Sequence, residues 1–254
     1  MKNMFDSNIL VKVGEFNHLK DLVENGTLYM TPLREFRKNS TPGVGDSEEG
    51  NLLTCPNMEV WEEDKKLGTA DIETHNGIDY PVFCCFNLVV KKINDDFYWG
   101  KIPVRLLKDF SKDKQNPAIV FLQRKELLAK LSQTRYANNF ICGPVQYTDA
   151  FVRRWTYFQK RKEFSYQQEY RVVLKEKCFE HYKKVNLNAF KFYIDIFELP
   201  ENIVDMYIVL HKKSVTNAEI AIFFNTYSER MLESQIVSDL MKRYQALLLE
   251  KKNI

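Results

Sequence analysis

The order of apolar and polar positions predicts strands and short helices in the first part of the chain. Residues 10–13 predict a short strand, followed by an amphipathic helix that ends at Asn25-Gly26. A second strand is expected at residues 27–30, and a turn or short helix at residues 32–37. This opening is therefore a strand, a helix and a second strand.

The middle of the chain predicts mostly strands, and its end predicts helices. Strands are expected at residues 52–61, 68–73, 80–90, 97–104, 118–122, 141–147, 170–175, 192–196 and 203–209. Helices are expected after Pro103, at residues 124–136, and from about residue 217, with the last at 228–251. We therefore expect a single α+β domain over residues 1–254, with a sheet-containing body at about 10–210 and C-terminal helices at about 214–254.

The composition is that of a globular protein. The 254 residues are 44% hydrophobic and 28% charged, which excludes collagen-like, disordered and disulfide-scaffold classes. Apolar runs are shorter than the roughly 20 residues of a membrane helix, and the N-terminus lacks an apolar signal segment. Five cysteines and four histidines show no ligand spacing, so no metal is expected, and the cysteines suit a reducing cytoplasm.

The charge is distributed unevenly along the chain. Residues 1–100 hold 10 Lys and Arg against 17 Asp and Glu, a net charge of −7. The remaining residues hold 27 against 17, a net charge of +10. Two interpretations stay open: an acidic face docks on a basic face within the domain, or a basic surface binds an anion.

The strand expected near residue 170 carries polar groups on one face. Because side chains alternate along a strand, Gln167, Glu169 and Arg171 share a face opposite an apolar one. Such a stack of hydrogen-bonding groups can line a cleft. The alternative is an exposed strand face on which Glu169 pairs with Arg171, a contact that stabilises by about 0–1 kcal/mol.

A basic and aromatic segment precedes this strand. Its cations can bind phosphates while its aromatic rings stack on bases, which is the chemistry of single-strand binding. An amphipathic element with buried rings has the same composition. The candidate nucleic-acid contacts are Arg153, Arg154, Trp155, Lys160, Arg161 and Lys162.

Two further candidates carry less chemistry. A Gly-rich loop at residues 38–51 holds Asp46, Glu48 and Glu49, which are oxygen ligands for a hard cation, but their spacing favours a solvated acidic loop. Cys84 or Cys85 as a nucleophile would need an adjacent base, which the sequence does not supply.

Several motifs together resemble a widespread bacterial and phage family of unestablished chemistry. They are N-G-x-L-Y-M-x-P-L-x-x-F at residues 25–36, a Gly- and acid-rich loop at 43–50, Cys85-Phe86, V-x-Y at 145–147, and K-x-x-x-F-x-Y-x-x-E-x-R at 160–171.

The segment Gln167-Gln168-Glu169 before a strand also resembles the Gln-x-Glu motif of ADP-ribosyltransferases. This resemblance implies a mixed, strongly bent β-sheet and the use of NAD. Breaking the nicotinamide–ribose bond builds positive charge on the ribose, as in glycosidases. Glu169 is expected to stabilise that charge and Gln167 to orient the attacking group. A toxin or phage-conflict effector is the role that the resemblance implies.

The same resemblance suggests residues that hold NAD. Those enzymes carry a His or Arg on the first strand, where this chain has Lys12, with His18 one helical turn later. Tyr29 and Arg171 complete the expected set. The alternative function is a non-catalytic module for nucleic acid or nucleotide, and a homodimer or protein partner through the C-terminal helix stays open.

Overall fold

The computed structural model describes residues 4–38, 53–62, 65–74, 78–148, 157–187, 196–211, 220–225, 227 and 231–252. Residues 76–77, whose Asn-Gly pair predicts a turn, lie outside these ranges. The acidic loop with Asp46 and the basic residues Arg153 and Arg154 also lie outside them. The described part of the chain is α+β and consists mostly of strands, as predicted.

The strands are β1 (Met4–Glu15), β2 (Thr27–Pro32), β3 (Leu53–Glu62), β4 (Lys65–Thr74), β5 (Pro81–Lys92), β6 (Phe97–Ile102), β7 (Pro117–Gln123), β8 (Phe140–Pro144), β9 (Gln146–Thr148), β10 (Gln159–Arg161), β11 (Glu169–Leu174), β12 (Lys183–Asn186), β13 (Ile196–Glu198), β14 (Met206–His211) and β15 (Ile220–Phe224). The α-helices are α1 (Phe16–Asn25), α2 (Leu33–Lys38), α3 (Val104–Ser111), α4 (Arg124–Leu131) and α5 (Glu233–Lys252). Two 3₁₀ turns lie at Ala137–Asn139 and Lys162–Gln167. None of the helices in the described ranges is long and apolar enough to cross a membrane.

The chain forms two compact units. The first unit holds Met1–Val23, Asn87–Leu127 and Lys191–Ile254, and the second holds Glu24–Phe86 and Leu128–Phe190. The chain therefore passes between the units four times, and neither is a contiguous segment. The single domain expected from the sequence stays a prediction.

In the first unit, β7 lies between β1 and β13 in antiparallel ladders. Its residues from Ala118 to Leu122 are buried, as expected for an uninterrupted apolar strand with neighbours on both sides. A second set of antiparallel ladders joins β6 to β5 and to β14, and β14 to β15. Gly100 on β6 permits a close approach, because a Cβ there would lie 3.0 Å from Leu88 Cδ1.

Helix α5 covers the aromatic face of this second set of strands. Leu240 and Tyr244 are buried against Trp99, Tyr207 and their apolar neighbours. Ile236, Leu240, Met241 and Tyr244, which recur at helical spacing in the sequence, thus pack on the helix's own unit. Leu232 and Leu248, which the same spacing places on this stripe, are exposed.

The prediction of helices from residue 217 is wrong at Ile220–Phe224, which is strand β15. Five consecutive apolar residues, two of them Ile and two Phe, favour a half-buried sheet edge over a helix of that length. Helix α4 is also shorter than predicted. It ends at Leu131, whose carbonyl accepts a hydrogen bond from the Thr134 hydroxyl at 2.9 Å, a local side-chain bond that competes with further helix.

In the second unit, antiparallel ladders connect five strands in the order β12, β2, β5, β11 and β8. Strands β3 and β4 form a separate antiparallel ladder, and β9 pairs with β10 in parallel. The strand predicted at residues 141–147 is divided into β8 and β9 at Val145, whose N–H donates to the Glu169 carbonyl at 2.8 Å. This division directs β9 away from the sheet toward β10.

Candidate active site

Glu169 is the first residue of β11 and lies between two cations. Its Oε1 is 2.7 Å from Lys160 Nζ, and its Oε2 is 2.8 Å from Arg171 Nε. All three side chains are nearly inaccessible, with the Glu169 side chain 4% exposed. The Glu169–Arg171 pair anticipated from strand spacing is present, but its face is buried rather than exposed.

Lys160 reaches this cluster from β10. The register of the β9–β10 ladder sets Lys160 beside Tyr147. Its ammonium also donates to Gln167 Oε1 at 2.9 Å and lies 5.0 Å from the centre of the Phe164 ring. One nitrogen thus joins the side-chain oxygens of both residues that the Gln-x-Glu motif singled out.

Arg171 links the cluster to the segment that covers it. Its Nη1 donates to the Tyr157 carbonyl at 2.7 Å. Within the sheet it lies opposite Cys84 on β5 and Gly143 on β8. Arg171 is 1% exposed, so it acts here as a buried connector.

The backbone at Gln168 brings Gln167 and Glu169 to the same ammonium. Gln168 has φ 39° and ψ 48°, the left-handed region, and it joins the 3₁₀ turn to β11. The Glu169 N–H donates to Tyr147 Oη at 2.8 Å. A residue in a sparsely populated conformation between two candidate site residues is a feature that functional sites share.

The charges keep Glu169 ionised. Burial by itself would raise the pKa of Glu169, but the positive charges and hydrogen bonds of Arg171 and Lys160 outweigh it and hold this pKa well below its usual range. Burial and the nearby Glu169 carboxylate raise the pKa of Tyr147, so its hydroxyl stays protonated. The site therefore presents a carboxylate, two cations and a neutral phenol.

Tyr29 lies on the same face of the sheet as Glu169. Thr31 is opposite Val82, and Val82 is opposite Val173. Because directly paired residues and residues two apart share a face, Tyr29 and Glu169 lie on one side of the second unit's sheet. The Tyr29 ring contacts Tyr182 and Lys184, with ring centroids 5.8 Å apart and Lys184 Nζ at 5.0 Å.

Lys12 and His18, the other expected NAD contacts, belong to the first unit. Lys12 is on β1 opposite Val120 and is half-buried. His18 is exposed on α1. The structure brings together Gln167, Glu169 and Arg171 of the expected set.

The basic and aromatic segment is described only in part. Trp155, with Arg153 and Arg154, lies outside the described residues. Lys160 is 2% exposed and bound to Glu169, so in this conformation its ammonium does not face solvent. Arg161 pairs with Glu163 at 3.1 Å, and Lys162 is exposed.

The structure adds little support for the cysteine nucleophile or for the metal site. Cys84 is half-buried opposite Arg171, and Cys85 is buried. The acidic loop that includes Asp46 lies outside the described residues. Among the residues that the structure describes, no group of three or more His, Cys, Asp or Glu side chains could hold a metal ion.

Sequence reasoning missed the contact between Lys160 and Glu169 and the support from Tyr147. The signal was present in the motifs. Lys160, Glu169 and Arg171 are the three charged letters of K-x-x-x-F-x-Y-x-x-E-x-R, and Phe164 is the ring beside Lys160. The V-x-Y motif supplies the Tyr147 hydroxyl that accepts from Glu169 N–H. These motif residues converge on one buried cluster.

Comparisons with known proteins add no relative. Neither protein-family models, nor curated proteins, nor solved structures gave a match to this chain.

Proposed function

We propose that this protein is an ADP-ribosyltransferase-like enzyme, with the role of a toxin or phage-conflict effector, that cleaves NAD at a site centred on Glu169. The bond between ribose C1′ and the nicotinamide nitrogen breaks, and nicotinamide leaves with the electron pair. An acceptor nucleophile forms the new bond to C1′ and releases a proton. The products are ADP-ribosylated acceptor, nicotinamide and a proton, so no oxidant or reductant is needed.

The convergence of Gln167 and Glu169 on one point is the observation that carries the proposal. Their side-chain oxygens lie 2.9 and 2.7 Å from the same Lys160 nitrogen. A group that replaced this nitrogen would therefore be held by an amide oxygen and an ionised carboxylate together. Glu169 would then stabilise the positive ribose, and Gln167 would orient the acceptor.

Arg171 and Lys160 restrict the access of NAD to the Glu169 carboxylate. Arg171 binds Glu169 Oε2, which fixes the carboxylate and leaves Oε1 as the oxygen that turns toward Lys160. A ribose hydroxyl reaches Oε1 only where Lys160 has moved. NAD cleavage at this site thus depends on an exchange of hydrogen-bond partners at one atom.

The test compares Glu169→Gln with wild type in the presence of labelled NAD and a cell extract. Glu169→Gln keeps the shape and removes the charge, so the rate of nicotinamide release should fall by about a hundredfold or more. NAD affinity should change much less, because the charge develops only toward the transition state. Glu180→Gln, at an exposed position of the same unit, is the matched control and should keep the wild-type rate. Equal rates for wild type and Glu169→Gln would remove Glu169 from the mechanism.

A nucleic-acid or nucleotide module is the second candidate. It is supported by Lys162, which is exposed, and by Arg161 beside it, while Lys160 is committed to Glu169. Single-stranded oligonucleotide affinity should then fall steeply as salt rises. Lys162→Gln should reduce the salt dependence, and Trp155→Ala should weaken binding by about 1–3 kcal/mol. Absence of binding at low salt would eliminate this candidate.

A further inference from the structure

Lys160 occupies the two acceptors that the proposed function assigns to the reaction. Its ammonium is hydrogen-bonded to Gln167 Oε1 and Glu169 Oε1, while Arg171 takes Glu169 Oε2. With Glu169 and Lys160 both almost fully buried, neither solvent nor a ligand reaches these oxygens in this conformation.

We infer that Lys160 is an internal lock that keeps the Glu169 site closed until β10 moves away from β11. That the lock controls catalysis rests on the proposed function. The closed state itself rests on the hydrogen bonds of Lys160 to Gln167 and Glu169. A ligand that binds Glu169 has to compete with the ammonium of the same chain. The protein is then latent as folded, and opening of β10 is the regulated step.

The strands around the lock differ in how firmly they are held. Strand β10 pairs with β9 over three residues, from Gln159 to Arg161. Strand β11 pairs with β5 over Glu169 to Val173 and with β8 over Tyr170 to Leu174. Local opening begins where backbone hydrogen bonds and buried contacts are fewest. Lys160 therefore lies on β10, which opens first, and Glu169 lies on β11, which remains paired in the sheet.

Gln168 is placed to act as the hinge. It is the residue between the 3₁₀ turn that follows β10 and the first residue of β11, and its φ is 39°. A change from the left-handed region to the extended region at this position redirects the turn without unpairing β11. The strain in the closed state is relieved by that change.

The expected size of the effect follows from the population of the open state. Where a protein binds a ligand only in a minor conformation, its apparent affinity is reduced by the fraction that is open. Minor states of this kind are populated at about 0.1–10%. Replacing Lys160 by Met, which keeps its length without its charge, should thus raise exposure of Glu169 by about tenfold or more.

The direct test is chemical labelling of Glu169. A water-soluble carbodiimide with an excess of a small amine converts accessible carboxylates to amides, and mass spectrometry measures each site. We expect Lys160→Met to label Glu169 at least about tenfold faster than wild type. The matched control, Lys177→Met, removes an exposed lysine of the same unit and should leave the labelling unchanged. Equal labelling of Glu169 in Lys160→Met and wild type would overturn the lock.

A parallel measurement of nicotinamide release separates this inference from the proposed function. Faster labelling together with faster release supports both. Faster labelling without NAD consumption by either protein supports the lock and overturns the proposed function. NAD consumption by wild type with slower release from folded Lys160→Met overturns the lock and leaves the proposed function standing.

Should Lys160→Met not fold, wild-type amide hydrogen exchange tests the same opening. Peptides covering residues 157–167 should exchange at least about tenfold faster than peptides covering residues 169–174. Exchange of both segments at one common rate would mean that β10 opens only with the whole sheet, and the lock would be overturned.

Discussion

Lys160 Nζ lies 2.7 Å from Glu169 Oε1, with both side chains almost completely withdrawn from solvent. A charge pair of this kind is costly to bury, and it persists because further bonds satisfy each partner. Arg171 supplies the second bond to Glu169, and Gln167 supplies the second acceptor for Lys160. The pair therefore holds β10 against β11 and sets the chemistry that either strand can offer.

Truncation of Glu169 should be among the most damaging changes to the second unit. Glu169→Ala leaves Lys160 and Arg171 buried without their carboxylate, at a cost of about 3–5 kcal/mol in the free energy of unfolding. Glu169→Gln should cost less, because the amide oxygen still accepts one hydrogen bond. Urea denaturation measures both. A loss within about 0.5 kcal/mol for Glu169→Ala, as for a surface substitution, would contradict the buried network.

Stability should depend on the ionisation of Glu169 in acid. Its folded pKa lies below the value of about 4.3 for an unfolded glutamate. The stabilisation is thus fully present above that pH and is lost as the pH falls toward the lower folded pKa. Between pH 5 and pH 3, the urea midpoint of wild type should fall further than that of Glu169→Gln. Parallel curves for the two proteins would show that Glu169 contributes nothing to the acid response.

The conformation of Gln168 gives a prediction of opposite sign for two substitutions. A left-handed backbone costs a non-glycine residue about 1–2 kcal/mol, and glycine avoids that cost. Gln168→Gly should therefore be tolerated or raise the thermal midpoint, whereas the β-branched Gln168→Val should lower it. Thermal unfolding of the two variants side by side decides the matter, and a more stable Gln168→Val would place Gln168 outside the left-handed region.

The contribution of Tyr147 to the stability of the site should come from its hydroxyl oxygen alone. Tyr147→Phe keeps the ring and removes the acceptor for the buried Glu169 N–H, which should cost about 1–3 kcal/mol. Tyr136→Phe, in the same unit, removes a hydroxyl that accepts from the exposed Arg135, and it serves as a comparison for loss of a solvent-exposed hydrogen bond away from the site. Chemical denaturation should separate the two variants. If they lose the same stability, the hydrogen bond to Glu169 N–H contributes little.

Local pattern predicted much of this fold because most elements carry their own signal. The apolar run at β7 and the stripe on α5 were both recognisable, and the strand period put Glu169 and Arg171 on one face. The alternation of side chains along β11 does not predict which residues cover the face that carries Glu169 and Arg171. Its cover comes from β10, a three-residue strand whose partner β9 is a long-range neighbour. The sequence therefore predicts Lys160 as a candidate phosphate contact and not as a partner of Glu169.

The wrong prediction of a helix at Ile220–Phe224 has a similar physical cause. The apolar run at Ile220–Phe224 is too short to distinguish a buried helix from a strand by periodicity. Pairing with β14 decides it, and the paired residues of β14 lie 10 to 18 positions earlier in the chain, from Leu210↔Ile220 to Met206↔Phe224.

Nicotinamide release from NAD, measured for wild type, Lys160→Met and Glu169→Gln under one set of conditions, tests the account most directly. We expect the rate to rise by about tenfold or more in Lys160→Met, where Oε1 of Glu169 is released. We expect it to fall by about a hundredfold or more in Glu169→Gln, where the charge is gone. Three equal rates, or no release from any of the folded proteins, would contradict the assignment of NAD chemistry to Glu169.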